Sequence, residues 1–92
     1  MNSEQAEILA LQALTFLAAD TEIMDRFAAL SGLAPNDIIA RANEAEMLAG
    51  VLDFMLSDET VLTDFCAAND LDPEHPARAR QTLPGGDLPH WT

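Results

Sequence analysis

Cys66, His75 and His90 are the only thiol and the only imidazoles in this 92-residue chain. A Cys–His pair is therefore the one nucleophilic arrangement it offers, the imidazole taking the thiol proton. Cys66, however, follows Phe65 inside an apolar helical run, where a small packed residue is the expected role. No Gly-rich phosphate loop, nucleophile elbow or zinc-spaced histidine pair accompanies it. Asp70, Asp72 and Glu74 alternate as the start of a calcium loop does. An EF-hand beginning at Asp70 needs glycine at its sixth position and a bidentate Glu at its twelfth. The chain has His75 and Gln81 there, and Pro73 intrudes. These acids are read as groups that polarise a helix start. The chain is expected to be no enzyme, to hold no metal or cofactor, and to imply no small-molecule ligand.

Binding chemistry offers three further candidates. The run Phe27–Ala42 has the spacing of a helix-turn-helix: Ala28 permits a close crossing, Gly32 makes the turn and Ile38 pins the second helix. DNA binding also needs cations on and around that second helix, and Arg41 stands there alone beside Asp37 and Glu44. Arg78 and Arg80, half of all the cations, lie near the end of the last helix, where they would grip an acidic partner or complement the helix dipole. The C-terminal segment Leu88 to Trp91 carries the only Trp, a residue enriched at interaction hot spots.

The charge balance narrows the partners. Sixteen Asp and Glu face four Arg and no Lys, for a net charge of −12. Such a surface repels phosphate backbones and anionic headgroups and favours basic partners or plain solubility. A single cysteine excludes an intramolecular disulfide and a thiolate cluster. The first five residues lack the basic region of a signal peptide, and the apolar run Ile8–Ala19 would span only about 18 Å as a helix, too little for a bilayer. A soluble cytoplasmic protein is expected, with no membrane association.

The elements that must position these residues follow from punctuation and from an internal echo. Leu14, Phe16, Asp20, Phe27, Ala29, Leu33 and Pro35 recur 38 residues later as Leu52, Phe54, Asp58, Phe65, Ala67, Leu71 and Pro73. Two pseudo-repeats, about 9–42 and 47–80, are expected, each too small to bury its own core. Apolar residues make up 49% of the chain. They are mostly Leu, Ile, Met and Ala with few β-branched types, which favours helices. The first helix is expected over about Ser3–Ala19, capped by Asn2 or Ser3, and central because almost every face is apolar. Asp20 caps a second, Thr21 to about Leu30, with Ile23, Met24, Phe27 and Leu30 inward and Gly32 as its left-handed cap. Pro35 opens a short third helix to about Ala42. Asn43 and Glu46 have capping-box spacing for a fourth ending near Leu56. Asp58 caps a fifth, Glu59 to about Asn69, and Asp72-Pro73 starts a sixth to about Thr82. Pro84, Gly85 and Gly86 then set off a tail, 84–92.

The stretch from Ala10 to Asp20, then Arg26 to Pro35, Val51 to Asp58, Leu71 to Glu74 and Ala77 to Arg80, resembles a domain-of-unknown-function family of short, all-helical bacterial proteins. The resemblance covers about residues 6 to 83. It implies an all-α cytosolic protein and carries over no active site.

These readings converge on an all-α, compact bundle of five or six short helices in a single domain, 1–83. The expected function is a small non-enzymatic module that binds another protein, or itself, through an apolar groove or the tail. Arg78, Arg80, Leu88 and Trp91 are the candidate contacts. The alternative is a nucleic-acid-linked regulator using the helix-turn-helix at Phe27–Ala42, or an acidic competitor of a DNA-binding protein.

Overall fold

A computed structural model of the chain describes residues 1–83, so Leu88 and Trp91 lie outside the described residues. Those residues form six helices and no strand: α1 (Ser3–Ala18), α2 (Thr21–Ser31), α3 (Pro35–Ala40), α4 (Ala45–Leu56), α5 (Glu59–Asn69) and α6 (Glu74–Thr82). The molecule is an all-α bundle.

Local hydrogen bonds place most helix starts. Asn2, not Ser3, caps α1: its side chain accepts from the Gln5 N–H at 2.8 Å, while the Gln5 side chain accepts from the Asn2 N–H at 3.0 Å. Asp20 accepts from the Glu22 and Ile23 amides, and Asp58 from the Val61 amide, satisfying donors that an uncapped first turn leaves orphaned. The expected Asn43–Glu46 capping box does not form. Residues 41–44 make a turn closed by the Glu44 N–H donating to the Arg41 carbonyl at 2.9 Å, which delays α4 to Ala45 with Glu44 as its cap residue. The same turn ends α3 at Ala40, short of Ala42.

Helix ends follow one rule in two chemistries. Gly32 stands at φ +76° and its N–H reaches the Ala28 carbonyl, as the sequence expectation has it. Asp70 terminates α5 in the same left-handed region, at φ 54°, with its N–H on the Cys66 carbonyl.

α1 and α4 form the central pair. α6 packs on both, α2 packs on both from another side, α5 packs on α4, and α3 packs chiefly on α2. The core is one cluster, with Leu17, Ile38, Leu48, Val51, Leu52, Met55, Phe65 and Leu83 fully buried. Two ring contacts stitch it: Phe16 to Phe65, edge-on with centroids 5.6 Å apart, and Phe27 to Phe54, tilted at 5.3 Å. Each pair is the other's counterpart under the 38-residue offset.

Two expected burial patterns are corrected. α1 is central yet not buried all round: Ala6, Leu9, Ala10, Ala13, Leu14 and Leu17 face inward, whereas Ile8 and Leu11 are 52% and 40% exposed. Its partners cover only one side. On α2 the buried stripe is Met24, Phe27 and Ala28. Leu30 lies roughly 110° round the helix from the centre of that stripe, and it is 76% exposed rather than inward.

Candidate partner-binding groove

Exposed Leu30 marks the lip of a groove. The C-terminal half of α2 supplies Phe27, Leu30 and Ser31; the turn after α3 supplies Arg41 and Glu44; α4 supplies Glu46, Met47, Gly50, Asp53 and Phe54, and its cap residue is Ser57. The volume is about 450 Å³, within the range of ligand-sized clefts. The turn at residues 41–44, which precedes α4, forms one of its walls.

Its floor is apolar and fixed. Phe27 and Phe54 are buried and in ring contact, and Met47 is buried beside them. The Arg26 guanidinium sits 5.8 Å from the Phe54 ring centroid while its Nη2 pairs with the Asp58 carboxylate at 3.1 Å, tying α2 to the start of α5 behind the groove wall. Gly50 lies mid-helix in the floor, where glycine costs roughly 1 kcal/mol relative to alanine. A Cβ built there would meet nothing within 4 Å. No packing among the described residues calls for that glycine. Thirty-eight residues earlier the chain has Gln12, a long polar side chain.

The rim is charged. Glu44, Glu46 and Asp53 are exposed carboxylates, and Arg41 is exposed with no ion pair among the described residues. Asp53 accepts from the Arg80 Nε at 2.6 Å, which locks α6 to α4. The two serines at the groove's ends spend their hydroxyls on their own helices, Ser31 donating to the Ala28 carbonyl and Ser57 to the Phe54 carbonyl. The groove therefore presents apolar surface, carboxylates and the Arg41 guanidinium, with no nucleophile held by a base.

The residues singled out from sequence fall as follows. Arg80 is mostly buried in its pair with Asp53, and Arg78 makes an exposed i, i+4 pair with Glu74 at 3.8 Å. Neither lines the groove. Cys66 is buried and weakly bonded, its Sγ 3.8 Å from the Asp72 carbonyl. Burial, with a smaller contribution from the Asp72 charge, pushes its thiol above the ordinary value. His75 points back at its own turn, its Nδ1 accepting from the Asp72 N–H at 3.3 Å. Among the described residues no three His, Cys, Asp or Glu gather as a metal site, and no helix is long and apolar enough to cross a membrane. Asp58 is held below the usual carboxylate value by the Val61 amide and then by Arg26, against the opposing pull of burial. α2 and α3 are joined by a short turn at Gly32, with α3 only six residues long and Arg41 at its end.

The sequence reading did not single out Leu30 as exposed, nor Gly50, Glu44, Glu46 or Phe54 as groove residues. Gly50 carried the one available signal: a glycine inside a strongly apolar helical run, far from either cap.

A family described as a protein of unknown function, DUF3572, matches residues 3–86. The chain belongs to the DUF3572 family. The family match spans the six helices and every groove residue, so the groove is part of the family's domain rather than an appendage to it. No curated protein and no solved structure matches the chain.

Proposed function

We propose that this DUF3572 protein is a small non-enzymatic interaction module whose groove between α2 and α4 receives a segment of another protein. The observation that carries the reading is Leu30, 76% exposed at the lip of a floor made by Phe27, Met47 and Phe54. A lone exposed leucine is ordinary. One that continues a concave apolar surface supplies the anchor such sites use. Gly50 supports the same reading, since it keeps the floor open at a cost to its own helix. The alternative regulator role has the turn at Gly32 but only Arg41 as a cation on or beside α3, against the several that phosphate contact requires.

The test compares proteins retained from native extract by the wild-type chain and by Leu30→Ser. Leu30 contacts mostly solvent, so the substitution leaves the fold within about 0.5 kcal/mol. Proteins retained by the wild type and lost by the variant are the expected result. Identical retention by both, or no retained protein at all, counts against the module.

A further inference from the structure

We infer that the groove's occupant is a cationic amphipathic helix of another protein, laid along α4 with its apolar face on the floor and its Lys or Arg side chains toward the rim. This deepens the interaction reading and rests on it. Three observations select this occupant. The first is length. The groove follows α4 from Glu46 to Ser57, roughly 16 Å at 1.5 Å per residue. Three turns of a partner helix would fill it, anchored at i, i+3, i+4 and i+7.

The second is the open floor at Gly50. Without a Cβ, and with no other described part of the chain beyond its own helix backbone within 4 Å of where one would stand, the α4 backbone is approachable at mid-groove. A partner side chain or backbone can seat there against bare helix.

The third is charge. Glu44 and Glu46 stand at one end of the rim with no ion pair among the described residues, they outnumber the rim's cation Arg41, and the whole chain carries −12. A cationic ligand is drawn in by the long-range field and then meets carboxylates at the rim. A second copy of this chain would bring a further −12 to the same place, so the electrostatics oppose self-docking. The chain's own residues 84–92 contain Asp87 and no Lys or Arg, so they do not complement the rim. The exposed stripe on α1, Ile8 and Leu11, is a single pair of large residues and offers far less than the roughly 800 Å² per partner of a standard interface.

The experiment titrates the full-length protein into three fluorescently labelled peptides at about 0.1 M salt, where the field reaches about 10 Å. Each peptide has about 14 residues, roughly 21 Å of helix. One carries a leucine stripe and a lysine face, one the same stripe with a glutamate face, and one is the lysine peptide scrambled to destroy the stripe. The lysine amphipath is expected to bind at least about tenfold tighter than either control, 1.4 kcal/mol. Gly50→Leu, which fills the floor, is expected to lose at least about tenfold of that affinity. Glu46→Gln is expected to weaken binding more than Asp64→Asn, an equal charge change on α5.

Equal binding of the lysine and glutamate amphipaths overturns the charge assignment and leaves the groove reading intact. Binding of the scrambled peptide as tightly as the amphipath, or equal losses from Glu46→Gln and Asp64→Asn, overturns it in favour of unspecific attraction to net charge. Binding untouched by Gly50→Leu overturns the groove as the seat. A rise of tenfold or more in Trp91→Ala overturns the external partner in favour of the chain's own C-terminal segment.

Discussion

Cys66 illustrates how a reactive side chain is made inert by placement. Its thiol is buried in the core, lies 3.8 Å from the Asp72 carbonyl, and is shifted upward by burial first and the Asp72 charge second. Less thiolate and less access both slow attack. Alkylation by a soluble thiol reagent at pH 8 is expected to be at least about tenfold slower in the native protein than in denaturant, because reaction waits for local opening. Equal rates would mean that α5 frays freely. Asp58 shows the opposite displacement. The Val61 amide and Arg26 hold its carboxyl below the usual 3.8. A depressed folded value means the contribution to stability is fully present above the unfolded pKa and lost as pH falls through the folded one. Asp58→Asn keeps a capping side chain but removes the charge. The stability gap between wild type and Asp58→Asn, from denaturant titrations, is therefore expected to be widest above about pH 4 and to close toward pH 2. A gap that stays constant across that range would assign the role of Asp58 to the cap alone.

At the scale of elements, most of what holds the helices in place was readable because it is local. A cap needs one side chain and an amide two or three residues on, so Asp20, Asp58 and Asn2 announce themselves in the sequence. Gly32 does so too, since its left-handed φ of +76° suits glycine and no neighbour crowds the position. Gly32→Ala is thus a purely conformational change, expected to cost about 1–2 kcal/mol in a urea titration. Asp70 occupies the same region with a side chain, at φ 54°, so Asp70→Gly is expected to be neutral or stabilising by up to about 1 kcal/mol. Gly50 reverses the sign of the glycine argument. It sits at helical φ in open space, and Gly50→Ala is expected to raise stability by about 0.5–1 kcal/mol. A loss instead would reveal a close approach within the folded chain. The groove itself was not legible, for a physical reason. One of its walls is the turn at residues 41–44, where Glu44 bonds to Arg41 before α4 begins. Asn43 and Glu46 satisfied a capping pattern equally well on paper. Leu30 was assigned inward by hydrophobicity, yet its exposure depends on which neighbour helix covers α2's flank, and that is a tertiary fact.

Across the whole molecule the unbalanced charge is the property that acts everywhere at once. Three of the four arginines make ion pairs among the described residues, with Asp58, Glu74 and Asp53. Two of those pairs join different helices, Arg26 on α2 to the head of α5 and Arg80 on α6 to α4, so the scarce cations are used as ties. No other acid is seen in an ion pair among the described residues, and the mutual repulsion of the acids favours the expanded chain. The molecule measures 31 × 28 × 24 Å. At about 0.01 M salt the screening length is roughly 30 Å, so every carboxylate feels every other; at about 0.1 M it is roughly 10 Å and only neighbours count. Raising salt over that range is therefore expected to raise the thermal midpoint. A gain of about 1 kcal/mol in a domain of this size corresponds to about 4–8 °C. The exposed Arg78–Glu74 pair is weakened by the same salt, but such pairs contribute a few tenths of a kcal/mol and do not set the sign. A midpoint that fell with salt would show instead that the Arg26 and Arg80 ties outweigh the collective repulsion. The two outcomes are separated by repeating the scan on Arg80→Met, which removes one tie and leaves the acidic field stronger. If repulsion governs, this variant is more salt-responsive than wild type; if the ties govern, it is less.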